Sequence, residues 1–196
     1  MTETIKMTVQ EHNDRQARSY KLLLLFGMIS MFMMFAGLTS AYLVSASRKD
    51  WVKDMILPQA FTYSTIVIIL GSVTFHLAKK AIEKNNRSRT SQMLFTTLGL
   101  AIAFVILQFT GFNQLIAQGF FFTGSESSVT SSFLYVLTIL HLAHLAGGIL
   151  ALLIIIYNHF KQKYNATQTT GIELGAMFWH FLDILWVYLF LFLYFV

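Results

Sequence analysis

The segment Leu22–Val44 reads LLLLFGMISMFMMFAGLTSAYLV, twenty-three residues without a charge. A helix needs about 20 predominantly apolar residues to cross the hydrocarbon core of a bilayer. Ala60–Ala78, Met93–Phe112 and Phe133–Tyr157 are three more stretches of this kind dominated by apolar residues, and Gly175–Val196 is broken only by His180 and Asp183. Inside lipid every backbone N–H and C=O must be satisfied within its own segment, so such runs are helices. A soluble helix apolar all round would need a much larger protein to bury it. Charged residues make up 12% of the chain, against about 25% in soluble domains. The sequence therefore predicts an all-α membrane protein with five transmembrane helices, at about 22–44, 60–78, 93–112, 133–157 and 175–196. Residues 1–20 are expected to form a polar tail or interfacial helix, and 21–196 a single transmembrane unit.

Charge placement sets the expected orientation. The N-terminal segment, the connection after the second helix and the connection after the fourth hold eleven Lys and Arg residues, whereas the other side holds only Arg48, Lys49 and Lys53. Basic residues in short loops stay in the cytoplasm, so the N-terminus is expected inside and the C-terminus outside, periplasmic in a bacterial inner membrane. The net charge of +5 is explained by this retention. It gives no case for nucleic acid, because the basic residues sit in juxtamembrane segments rather than on a folded face. With no cysteine there is no disulfide, thiolate metal site or redox dithiol. The first helix is too long for a signal-peptide core, and no small-residue cleavage motif follows it. Asn86-Arg87-Ser88 and Asn165-Ala166-Thr167 match the glycosylation pattern, but both fall on the expected cytoplasmic side. The Gly119–Phe122 stretch reads as an aromatic interface anchor and Thr123–Ser128 as a flexible turn. No internal repeat is present, which counts against the inverted-repeat transporter folds.

Polar residues within the spans need a reason, because they are expensive there. Glu173, His180 and Asp183 are spaced seven and three apart in the last helix, on one face, with Trp179 and Trp186 flanking it. An ionised Asp183 near mid-helix would cost roughly 2.5–3.5 kcal/mol, and pairing with His180 one turn away would lower that cost. A buried clamp that fixes helix packing is the favoured reading, above a proton relay or ion site. His141, His144 and Gly148 share a face of the fourth helix. Histidine pairs inside membranes suggest haem or copper ligands, yet interhelical hydrogen bonds beside a close glycine contact are favoured. His76, His12 and His159 are expected at the interfaces. In the first helix, Ala36 with Ser40 and Gly37 with Ala41 are small-xxx-small pairs that permit close approach of another helix, in this chain or in a partner. The Met28, Met31, Met33 and Met34 cluster reads as adaptable packing. Lys79, Lys80 and Arg87 are candidates for lipid headgroup contacts, at about 1 kcal/mol per basic residue.

These residues resemble a family. Trp179-His180-Phe181-Leu182-Asp183-Ile184-Leu185-Trp186 is similar to the WHFxDxxW signature in the last helix of subunit III of the haem-copper terminal oxidases, the cytochrome c oxidase type. Thr138, His141, His144 and Gly148 match its TxxHxxHxxxG segment. Leu98-Gly99 followed by Phe104 and Gln108, and Ala36-Gly37-Leu38-Thr39-Ser40-Ala41-Tyr42-Leu43, resemble two further segments in the same order. The likeness runs from about Leu22 to the C-terminus and fits the bacterial five-helix form. It implies a non-catalytic accessory subunit with no cofactor of its own, packed against subunits I and II, with haem and copper in those partners. It also implies phospholipid held in a cleft between a two-helix and a three-helix group, support of proton uptake and turnover, and assistance to oxygen access. A supercomplex with a quinol-oxidising complex is compatible with it. One departure stands out: where many members have a carboxylate after the helix-one serine, this chain has Ser30-Met31. No proton role tied to that carboxylate carries over. Two other readings stay open on sequence: an accessory protein of a nitric oxide reductase, and an independent haem-binding or ion-transporting membrane protein.

Overall fold

In the computed structural model the chain forms five helices: α1 (Thr2–Ser45), α2 (Gln59–Glu83), α3 (Arg87–Ala117), α4 (Val129–Phe160) and α5 (Thr170–Phe195). The structure describes residues 2–48, 51–52, 56–124, 127–164 and 169–196, with side chains at Glu11 and from Arg15 onward. Lys49, Lys53, part of the Thr123–Ser128 turn and the Asn165–Thr167 pattern lie outside the described residues, as does the side chain of His12. All five helices are long and apolar enough to span a membrane.

Every helix outruns its apolar stretch. The polar N-terminal segment continues the helix of the first span, so α1 runs 44 residues without a break, roughly 66 Å at the α-helical rise. Lys79 and Lys80, expected in a loop, lie in the last turns of α2, and Arg87 and Arg89 open α3. The α2–α3 connection is therefore tight. Asn85 takes the left-handed conformation at φ 58°, which Asn tolerates better than most residues, and the Asn86 side chain caps α3 by accepting from Arg89 N. Pro58 precedes α2, where its missing N–H costs nothing. The aromatic stretch after α3 is fixed to the start of α4. Ser131 and Ser132 hydroxyls donate to the carbonyls of Phe121 and Phe122 at 2.9 Å each, and Tyr135 donates to Phe120 O at 3.1 Å.

Packing departs from the expected two-plus-three grouping. α1 packs on α4 and α5, and α2 packs on α3 and α5, while α1 and α2 do not touch. Among the described residues no cleft separates a pair made by the first two helices from the other three. The reason lies in the side chains. The buried face of α2 (Phe61, Ser64, Ile68, Phe75) meets Gln108 and Gly111 of α3 and Trp179 and Trp186 of α5. α1 carries one buried line, Met28, Phe35, Thr39 and Tyr42, which is directed at α4 and α5. Phe35 fills a socket of Leu137, Leu185 and Leu189. At the opposite end from the N-terminus, Tyr42 meets Trp51, Phe133 and Phe192 edge-on, with ring centroids 4.6, 5.9 and 5.3 Å apart. Apolar burial gives little net drive between helices already in lipid, so close packing and interhelical hydrogen bonds hold this arrangement.

Candidate functional site

Glu173, His180 and Asp183 lie along one side of α5 but do not share their partners. At the basic end of the bundle, Lys21 of α1 donates to Glu173 Oε2 at 2.7 Å, and Thr169 donates to the other carboxylate oxygen at 2.8 Å. Glu173 thus ties α1 to α5. Two turns deeper, the Ser72 hydroxyl of α2 lies 2.6 Å from His180 Nδ1, and the His76 and His180 rings are 6.2 Å apart. Asp183 is 4% exposed. The expected His180–Asp183 bond is absent, because His180 turns to Ser72, and neither Asp183 oxygen has a hydrogen-bond partner. Glu173 and His180 each reach another helix, α1 through Lys21 and α2 through Ser72, while Asp183 shares neither contact.

Trp186 sits at the centre of the bundle. Its Nε1 donates to Thr65 Oγ1 of α2 at 3.0 Å. Phe104 of α3 meets it at a right angle, 5.2 Å between centroids, and His141 of α4 stacks obliquely at 5.0 Å. One aromatic residue therefore contacts α2, α3 and α4. Trp179 packs edge-on against Phe75 at 5.8 Å, and its Nε1 has no partner.

The α4 histidines do not make the expected interhelical hydrogen bonds. His141 is fully buried with both nitrogens unpaired, held by ring contacts with Trp186 and Phe104. His144 bonds the carbonyl of Leu140 in its own helix at 2.7 Å and packs against Phe35. Gly148 does bring α4 and α5 into close contact: a Cβ there would lie 2.8 Å from Leu182 Cδ1. His159, expected at the interface, is buried and sits 2.9 Å from Ser91 of α3, because α3 and α4 remain packed beyond their apolar stretches. The small residues of α1 are turned outward. Ser40 and Ala41 are exposed, Ala36 is half-buried, and nothing lies within 4 Å of a Cβ built on Gly37. Of the candidate headgroup contacts, Lys80 is exposed, Lys79 faces Glu83 at 3.9 Å, and Arg87 donates to Tyr164 O at 3.3 Å.

Sequence reasoning missed Lys21, Ser72, Thr65 and the Thr39–Tyr188 contact of 3.0 Å. Their common signal is a hydroxyl or amine within or at the edge of a span, where an unpaired polar group is costly.

The profile of the cytochrome c oxidase subunit III family matches residues 4–196. The chain belongs to this family. Cytochrome c oxidase subunit 3 of Corynebacterium diphtheriae is 29% identical over 171 residues, 84% of this chain and 82% of that protein. The subunit 3 of Spodoptera frugiperda is 34% identical over 131 residues, 67% of this chain and 85% of that protein. Cytochrome bo(3) ubiquinol oxidase subunit 3 of Pseudomonas aeruginosa is 30% identical over 138 residues, 70% and 65% of the two chains. Membership of the subunit III family makes this chain an accessory subunit of a haem-copper oxidase that associates with the other oxidase subunits. Within the matched span, Trp179, Trp186, His141 and Gly148 all make contacts across helix boundaries.

Proposed function

We propose that this chain is a scaffold subunit that stabilises the catalytic subunit of a proton-pumping oxidase reducing oxygen to water, in a bacterial inner membrane with the N-terminus cytoplasmic. The single observation that carries the scaffold role is the outward α1 face. Ser40 and Ala41 are exposed, and among the described residues nothing lies within 4 Å of a Cβ built on Gly37; such small residues allow a partner helix to approach closely. The interior of the bundle is spent on its own packing: its aromatic and polar side chains tie one helix to the next. Haem and copper belong, on this reading, to subunits I and II. Phospholipid is a second partner, met at the basic end, where Lys80 is exposed beside Lys79 and Arg87. Eleven of the fourteen Lys and Arg residues fall on that end, which supports the cytoplasmic orientation. A supercomplex with a quinol-oxidising complex fits the same arrangement.

The test is mild detergent purification through a C-terminal tag, followed by mass spectrometry. Recovery of haem-copper oxidase subunits I and II supports the proposal. Recovery of nitric oxide reductase subunits, or of a lone chain carrying its own haem, overturns it.

A further inference from the structure

His159 is a buried titratable group at the basic end of the bundle, and the scaffold reading gives it no task beyond its contact with α3. It is 4% exposed although it follows Tyr157, where the apolar stretch of α4 ends. Among the described residues no carboxylate pairs with it. Its Nε2 lies 2.9 Å from the Ser91 hydroxyl of α3, which is also 3.0 Å from the carbonyl of Arg87 one turn earlier. Its Nδ1 is buried without a partner. A hydroxyl has one proton to give, and a neutral imidazole has one N–H and one bare nitrogen. One assignment leaves no donor unpaired. Ser91 donates to Arg87 O, His159 donates from Nε2 to Ser91 Oγ, and Nδ1 is the bare nitrogen. A buried bare acceptor is tolerated more readily than an orphaned N–H.

We propose that His159 is an acid-sensitive joint: neutral, it holds the end of α4 on the start of α3, and protonated at Nδ1 it releases that end to water. The added proton comes from the aqueous phase and returns to it when the joint closes. In the closed arrangement it would make an N–H with no acceptor and a buried positive charge, both costly. The charged groups around this end do not offset that cost. Arg87 of α3 reaches across the end of α4 and donates to Tyr164 O at 3.3 Å, so a cation already occupies the junction. Arg89 of α3 and Lys161 and Lys163 after α4 add three more. From α5 and α1, Glu173 is engaged by Lys21 and Thr169. In the opened state the imidazole titrates near its ordinary value of about 6.5. The open form therefore binds the proton preferentially. The closed form keeps its full advantage above that value and loses about tenfold against the open form for each pH unit below it. The Arg87–Tyr164 bond crosses the same junction and opens with it.

Amide hydrogen exchange of the purified oxidase complex, read by mass spectrometry across about pH 8 to 5, the range in which an imidazole titrates, tests this. Where opening does not depend on pH, exchange slows about tenfold per unit of pH, in proportion to hydroxide. Below about pH 6.5 the gain in opening should cancel that fall. Peptides covering 87–92 and 156–161 should then exchange at a constant rate, while the end of α2 at 79–83 keeps slowing. His159→Gln can still donate from Nε2 to Ser91 but does not titrate, and should restore the tenfold fall. A wild-type rate at 156–161 that falls tenfold per unit overturns the proposal, and so does a constant rate that His159→Gln retains. Should His159→Gln not assemble, Ser91→Ala decides. It removes the acceptor of Nε2–H and should raise opening about tenfold at every pH, and an unchanged rate overturns the proposal.

Discussion

Two adjacent glycines in α4 make opposite predictions. Gly148 is buried against α5: a Cβ there would lie 2.8 Å from Leu182 Cδ1, 3.7 Å from Trp179 and 3.8 Å from Phe178. Leu182 is itself fully buried, so its methyl has nowhere to retreat without moving the α4–α5 contact. At Gly147 no atom of another described element lies within 4 Å of the same position. Overpacking of a filled interface costs typically about 1–3 kcal/mol, while replacing a helical glycine by alanine returns about 0.5–1 kcal/mol. Gly148→Ala should therefore destabilise the bundle by about 1 kcal/mol net. Gly148→Leu, which adds four heavy atoms in the same place, should reach the top of the range, about 3 kcal/mol, a roughly hundredfold change in an equilibrium constant. Gly147→Ala should leave the stability of the chain unchanged or slightly raised. The assay is the thermal midpoint of the purified complex, followed through this subunit, with the three variants side by side. Equal destabilisation by Gly147→Ala and Gly148→Ala would refute the close-contact reasoning, and so would a neutral Gly148→Leu.

Four further outcomes follow from named contacts. A double-mutant cycle of Lys21→Met and Glu173→Gln should give a coupling of about 0.5–1 kcal/mol, weakened by salt, because both side chains are partly exposed; chemical denaturation in detergent at two ionic strengths measures it. Thr65→Val should cost about 1–3 kcal/mol by leaving Trp186 Nε1 unpaired in a dry core, visible as a lowered thermal midpoint with a shifted tryptophan emission. Asp183→Asn should lower the amount of assembled complex and leave oxygen turnover per haem unchanged, since Asp183 is sealed inside the bundle; quantitative haem spectra with oxygen electrode rates separate the two effects. Replacing Lys79, Lys80 and Arg87 with Gln should reduce the anionic phospholipid that co-purifies, with Lys80 alone giving most of the loss, because Lys79 and Arg87 already have partners within the chain; native mass spectrometry counts the lipid.

The spans were legible because Leu22–Val44 and its four counterparts have one solution in lipid, a helix. The helix ends were not, since segments such as Lys79–Glu83 and Arg87–Gln92 remain helical outside the apolar stretch once α2 and α3 are packed. Helix neighbours were also hidden. The family resemblance implied a two-helix group made by α1 and α2, yet Phe35 and Thr39 direct α1 to α4 and α5. At Gly148 the spacing pointed to a close helix contact, and a Cβ there would lie 2.8 Å from Leu182 Cδ1. His180 was placed on the right face and given the wrong partner. A hydroxyl one helix away, Ser72, outcompeted the carboxyl three residues along the same helix, and no spacing rule within a single helix reveals that.

The proposed scaffold role requires that every redox group sit in the partner subunits. The most direct test strips this chain from the purified oxidase with detergent and salt and follows haem, copper and oxygen turnover in both fractions. Haem and copper should stay entirely with the catalytic subunits, with initial turnover retained and activity then decaying faster than in the intact complex. Haem or copper leaving with this chain, or immediate loss of turnover on its removal, would contradict it.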